Sequence, residues 1–202
     1  MKIEAVLFDL GKVLINFSFE TVVKTLHESC SISRAQFEAI LWDKVLVRSY
    51  ERGEISTREF HDYLCERATL NMTLPQFRAT WSSVFMPEPL VSEELLANLK
   101  RRYPLILVSN TNEAHVEFLR EKYRVFDYFD HLILSYEVRA LKPDPKIFEH
   151  AIAASNRPAE ALFFTDDREE NVTAAAALGM HAHQFVSEAR LVEALQQAGV
   201  KV

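Results

Sequence analysis

The chain has 202 residues, of which 49% are hydrophobic and 26% charged, and it carries a net charge of -6. That is enough apolar material for one good-sized domain or for a core with a small insert. The acidic balance excludes nucleic acid and anionic membrane as default partners, and no segment approaches membrane-spanning length. Residues 1–4 run directly into an expected strand, so no signal peptide is expected and the chain reads as cytoplasmic. Its two cysteines, Cys30 and Cys65, lack metal-ligand spacing and are expected to be buried thiols rather than a disulfide.

In chain order, the first expected strand covers residues 3–8, an apolar run that stops at Asp9 and turns on Gly11. A helical block of about residues 17–85 follows and reads as four helices. The first spans 20–28. The second opens on the capping box Ser33-Arg34-Ala35-Gln36 and carries Phe37, Ile40, Leu41 and Val45 at helical spacing. The third opens on Ser56-Thr57-Arg58-Glu59, and the fourth on Thr73-Leu74-Pro75-Gln76, with Phe77, Trp81, Val84 and Phe85 on one face. Pro87 and Pro89 close the block. Trp42, Phe77 and Trp81 are expected in the core of this bundle. Strands at 105–108, 132–134, 162–165 and 181–185 then alternate with helices at 92–103, 112–123, 145–154, 169–178 and 188–198. Alternation of this kind predicts an α/β fold, a doubly wound parallel sheet, with the helical bundle inserted after the first strand as a lid. The expected division is a core of residues 1–15 with 88–202 and a helical cap of residues 16–87.

The candidate site lies at the ends of the apolar strands. Asp9 ends the first, and Asp166 and Asp167 end Ala161-Leu162-Phe163-Phe164-Thr165. Strands without polar alternation are buried on both faces, and open α/β sheets bind ligands beyond the strands' C-terminal ends. Three carboxylates gathered there repel one another, and a hard cation such as Mg2+ relieves that repulsion. Asp9 in the centre is a candidate nucleophile. Ser109 and Asn110 end another strand, where amides entering the next helix form an anion site and Asn112 is a cap. Lys142, fixed by the following Pro143, supplies a cation suited to phosphate. Asn171, one helical turn beyond, is placed to orient the metal shell or the loop.

The order Asp9, Ser109, Lys142, Asp166-Asp167 in these strand contexts resembles the haloacid dehalogenase superfamily over essentially the whole chain, and the helical insert is similar to its small α-helical cap. Phe8-Asp9-Leu10-Gly11, Glu51-Arg52-Gly53-Glu54-Ile55-Ser56, Ser109-Asn110-Thr111-Asn112 with His115, and Phe164-Thr165-Asp166-Asp167 look like the bacterial α-D-glucose-1-phosphate phosphatase branch.

The resemblance implies a Mg2+-dependent phosphatase working through an aspartyl-phosphate on Asp9. Mg2+ would be held by Asp9, the main-chain carbonyl of Gly11 and Asp167, with Asp166 acting directly or through water. Ser109, Asn110 and Lys142 would hold the phosphoryl oxygens. The substrate would be a small phosphorylated metabolite, such as the sugar phosphate glucose 1-phosphate, and the protein a monomer or weak dimer. The cap turn would select it, with Arg48 and Arg52 toward phosphate, Glu51 or Glu54 toward sugar hydroxyls and Gly53 permitting the turn.

One departure stands out. Most phosphatases of this superfamily carry a second aspartate where this chain has Gly11, and that aspartate protonates the leaving oxygen and activates water. Loss of such a group costs on the order of a hundred- to ten-thousand-fold. His115 is one candidate substitute, although a histidine there is expected at the surface. The remaining readings are a catalytically weak or inactive phospho-ligand binder, and a metal-independent 2-haloacid dehalogenase.

Overall fold

Strand β1 (Ala5–Phe8) is buried along its whole length, and its side chains alternate between two cores. Val6 and Phe8 join one apolar cluster, whereas Ala5 and Leu7 join another on the opposite face. The same division runs through β4 (Leu105–Ser109). A strand apolar on both faces is stable only in the middle of a covered sheet, and β1 occupies that place. In the computed structural model, which describes residues 2–202, the five parallel strands are ordered β5-β4-β1-β6-β7. The other three are β5 (His131–Leu134), β6 (Leu162–Asp166) and β7 (His181–Gln184).

Helices α6 (Glu93–Lys100), α7 (Glu113–Lys122) and α11 (Glu188–Gln197) supply residues to the cluster on the Phe8 face. Helices α9 (Pro145–Ser155) and α10 (Glu169–Ala177) cover the Leu7 face, with the short α8 (Ser135–Val138) between β5 and α9. This is the doubly wound parallel α/β fold that the alternating pattern predicts.

The helical block departs from the expected four helices. Five are present: α1 (Glu20–Glu28), α2 (Arg34–Leu41), α3 (Lys44–Glu51), α4 (Thr57–Ala68) and α5 (Leu74–Ser82). The expected second helix breaks at Asp43, whose carboxylate accepts hydrogen bonds from Val45 N and Leu46 N at 3.0 and 2.9 Å and starts a new helix. The capping boxes at Ser33 and Ser56 form as expected. The stem of the insert is an antiparallel ribbon, β2 (Ile15–Phe17) with β3 (Phe85–Pro89). Pro87 and Pro89 therefore sit in an edge strand, a place that tolerates a missing N–H donor.

The five helices have their own core around Leu26, Phe37, Leu41, Phe60, Leu64 and Phe77. Trp81 is buried with them. Trp42 is a correction: it is 40% exposed. Cys30 and Cys65 are unpaired but only half-buried. No helix among the described residues is long and apolar enough to cross a membrane.

Candidate active site

The parallel register places the end of β1 beside the end of β6, with Phe8 opposite Thr165. Asp9 N donates to Thr165 O at 2.9 Å, which fixes the turn after β1 against its neighbour. Asp9, Asp166 and Asp167 thereby converge, and one carboxylate oxygen from each lies within 4.8 Å of the others. Asp9 and Asp166 are buried and Asp167 is half-buried.

Lys142 holds this cluster together. Its Nζ donates to Asp9 Oδ1 at 2.7 Å and to Asp166 Oδ2 at 2.5 Å, in a side chain that is almost wholly buried. Burial alone would lower the lysine's pKa, but the Asp9 and Asp166 charges hold it above the ordinary range, so the ammonium stays charged. Asp166 is saturated. Asn171 Nδ2 donates to both its oxygens at 2.9 and 3.0 Å, and Arg168 N donates to Oδ1 at 2.9 Å. Asp166 thus anchors Lys142 from behind, while Asp9 and Asp167 line the cleft together with Gly11, Lys12, Asn110, Arg168 and Asn171.

Burial raises the pKa of Asp9 to about 7, against the pull of Lys142 and with a further push from Asp166. Burial and the Asp166 charge likewise raise Asp167. Carboxylates held above their usual range are stabilised by an added cation. The oxygen-only donor set suits a hard divalent ion. Asn171 Oδ1, buried beside the cluster, has no hydrogen-bond partner among the described residues and remains free to accept from a water of such an ion's shell.

Asn110 is committed differently from expectation. Its side-chain amide clasps the Lys142 backbone, donating to Lys142 O at 3.0 Å and accepting from Lys142 N at 2.8 Å. It positions the lysine, and its side chain is not free for a phosphoryl oxygen. Ser109 is buried at the end of β4 and lines the neighbouring pocket.

That pocket, of about 130 Å3, lies between the helical insert and the sheet edge. Its wall is aromatic: Phe17, Phe19, Trp42, Phe60, Trp81 and Phe85. Gly11, Phe17, Glu51 and Asn110 border both the acidic cleft and this pocket. Its polar side chains largely satisfy one another. Tyr50 Oη donates to Asn112 Oδ1 at 3.1 Å, and Asn112 Nδ2 lies 3.1 Å from His115 Nδ1. Trp81 Nε1, however, is buried without a partner among the described residues.

His115 is buried, not at the surface. Its Nε2 meets Trp81 O at 3.1 Å. A carbonyl only accepts, so Nε2 carries the proton and Nδ1 accepts from Asn112. Burial lowers its pKa to about 4, so at neutral pH the ring is uncharged and both nitrogens are engaged. It braces the wall and has no proton to give.

Of the cap-turn candidates, only Glu51 reaches the cleft. Arg48, Arg52 and Gly53 border neither the cleft nor the aromatic pocket; Arg52 lies 3.9 Å from Glu54. Gly53 has φ +66 and packs so closely on Tyr136 O that a Cβ would collide with it, which pins the turn to the core. Ser135 Oγ, 2.6 Å from Glu51 O, accepts from Thr111 N at 2.9 Å and so ties the turn to the end of β4. Sequence reasoning missed Arg168 and the wall residues Phe17 and Phe19.

Gly11 is not needed for an unusual backbone. The left-handed residue of that turn is Lys12, at φ 61. What Gly11 allows is a close approach: a Cβ there would lie 2.6 Å from Phe17 Cε1. Lys12 holds that ring in place. Its Nζ donates to Asn16 Oδ1 at 2.7 Å and Phe17 O at 2.6 Å, and it lies 4.9 Å from the ring centroid.

A family model for haloacid dehalogenase-like hydrolases matches residues 3–179. The chain is 27% identical to the D-ribitol-5-phosphate phosphatase of Bacteroides thetaiotaomicron, across 90% of this chain and 91% of that protein. It is 28% identical to a sesquiterpene phosphatase of Aspergillus oryzae, across 88% and 87%. A HAD family enzyme of Bacteroides thetaiotaomicron, solved in complex with magnesium and inorganic phosphate, superposes with a TM-score of 0.81 at 30% identity, across 92% of this chain and 95% of that one.

Proposed function

The chain belongs to the haloacid dehalogenase-like hydrolases and is a phosphoric monoester hydrolase; on that premise we propose that it cleaves a small phosphomonoester with Mg2+ through an aspartyl-phosphate on Asp9. The observation that carries this reading is the buried Asp9–Lys142–Asp166 chain with Asp167 at its open edge.

Asp9, the Gly11 carbonyl and Asp167 would hold Mg2+, with Asp166 supporting them. Bound there, the ion lowers the charge repulsion between the nucleophile and an anionic phosphoryl group. The protein's own residues supply the rest. Asp9 attacks phosphorus. The Lys142 ammonium, fixed by Asp166 and by the Asn110 clasp, neutralises charge on the phosphoryl oxygens, with Ser109 and the main-chain N–H of Asn110 as further donors. Phosphoryl transfer is accelerated mainly by such positioning and charge neutralisation. The Asp166–Asp167 pair favours this reading over a metal-independent dehalogenase.

The leaving group faces the aromatic wall. A sugar phosphate suits it, because the C–H face of a sugar ring can lie on Trp42, which is 40% exposed at the pocket. Glucose 1-phosphate is the sugar phosphate implied by the resemblance of the motifs to the α-D-glucose-1-phosphate phosphatase branch. A more apolar alcohol is the second reading, supported by the small number of unengaged polar groups in the wall.

The test is phosphate release from sugar 1-phosphates, polyol phosphates, prenyl phosphates and an aryl phosphate, with Mg2+ or chelator. Release should require Mg2+ and fall on the order of 10⁴-fold or more in Asp9→Asn. Wild-type release that matches the Asp9→Asn background on every substrate would overturn this reading in favour of a phospho-ligand binder.

A further inference from the structure

We propose that Glu51, reaching in from the helical insert, is the general acid and base that position 11 does not supply. The inference rests on the phosphatase reading above.

The first observation is that the usual place for such a group is closed. Phe17 fills the space that a side chain at position 11 would enter, and Lys12 grips Phe17. The second is an inventory of the titratable groups that face the cleft. Asp9 is the nucleophile, and Lys142 is bound to Asp9 and Asp166. Asp167 belongs to the metal set. Lys12 is spent on Asn16 and Phe17. Arg168 is a permanent cation. His115 has both nitrogens engaged in the wall. Tyr50 Oη is bound to Asn112 and Thr57. Among the described residues Glu51 alone remains, and it lies at the junction of the acidic cleft and the leaving-group pocket.

The third observation is how firmly Glu51 is held. It closes α3 immediately before the turn that Gly53 seats on Tyr136, and Ser135 ties its carbonyl to Thr111. Tyr50 next to it bonds Asn112, and Thr57 Oγ1 donates to Glu113 Oε2 at 2.9 Å. The insert is therefore latched to the start of α7 on both sides of Glu51. Burial raises the pKa of Glu51 to about 7, with Arg168 and Arg48 opposing, which suits a group that must give and then take a proton.

The chemistry balances. As Asp9 forms its bond to phosphorus, the bond from phosphorus to the ester oxygen breaks, and that oxygen takes the Glu51 proton and leaves as an alcohol. The Glu51 carboxylate then takes a proton from water as the water oxygen attacks phosphorus. The bond from phosphorus to Asp9 breaks, Asp9 is restored, and inorganic phosphate departs.

Glu51→Gln tests this with two substrates. For a simple alkyl phosphate, whose alkoxide needs the proton, kcat should fall about 10²- to 10⁴-fold. For p-nitrophenyl phosphate, whose leaving group needs none, the variant should release a rapid burst of nitrophenolate, close to one per enzyme, followed by slow turnover, because only the second half-reaction still requires the base. The burst also shows that the variant is folded and charged with Mg2+. Unchanged kcat on the alkyl phosphate would overturn the proposal, as would an equal loss on both substrates without a burst, which marks Glu51 as a binding residue. If instead wild type itself gives no Mg2+-dependent release, the phosphatase reading fails first and the proposal with it.

Discussion

The two walls of the cleft are built on opposite principles. The wall at the strand ends is an electrostatic circuit, in which Lys142 bridges Asp9 and Asp166 and Asn171 donates to both Asp166 oxygens. The wall from the insert is aromatic, with Trp42 40% exposed and rings meeting at varied angles. In the proposed reaction the first would hold what every phosphomonoester shares, the phosphoryl group, and the second would face what differs between substrates. The two walls meet at Gly11, Phe17, Glu51 and Asn110.

The largest expected effect on stability strikes the circuit. Lys142→Met removes the cation and leaves Asp9 and Asp166 buried with no counter-charge. Breaking a buried pair in this way costs about 3–5 kcal/mol, which for a domain of this size lowers the melting temperature by on the order of 10 °C. Calorimetry of the metal-free protein should show that loss, and kcat should fall for every substrate by a similar factor. A variant that lost activity toward one substrate class only would break the division between the walls.

The circuit was legible from sequence and the aromatic wall was not, for a physical reason. Asp9, Ser109, Lys142 and Asp166-Asp167 each end or follow an apolar run, so local pattern places them at one sheet edge. The wall draws Phe17 and Phe19 from the stem, Trp42 from the helix junction and Trp81 from α5. Each fits a helix face or strand equally well as core, and only the tertiary arrangement separates the buried Phe77 from the cleft-lining Trp42. The same limit applies to His115, whose burial depends on Trp81 and Asn112. The break at Asp43 was readable in principle, since an aspartate followed by two amides it can cap is a start signal, but the apolar spacing ran through it.

A middle-sized effect lies at the seam. Gly11→Asp restores the carboxylate that the wider superfamily carries, yet its Cβ meets the clamped Phe17 ring. Overpacking of this kind costs about 1–3 kcal/mol, so the single variant should melt lower and gain no activity on an alkyl phosphate. Adding Phe17→Ala opens the slot. In the Glu51→Gln background the pair Gly11→Asp, Phe17→Ala should recover at least tenfold in kcat on the alkyl phosphate, on the order of what one restored proton donor supplies. Recovery by Gly11→Asp alone would show that Phe17 does not close the position.

The smallest expected effect separates the walls most cleanly. Trp42 is half in solvent and touches Phe19 edge-to-face at 5.1 Å, so Trp42→Ala removes little that the fold depends on. An aromatic contact of that kind is worth about 0.5–1.5 kcal/mol beyond its buried area. For a substrate whose leaving group lies on the ring, KM should rise by about three- to tenfold with kcat and melting temperature nearly unchanged. For a phosphomonoester too small to reach the wall, KM should stay as it was. A uniform rise across both would place Trp42 in support of the phosphoryl site rather than the leaving group, and the wall would then act as packing for the circuit instead of as a reader of substrates.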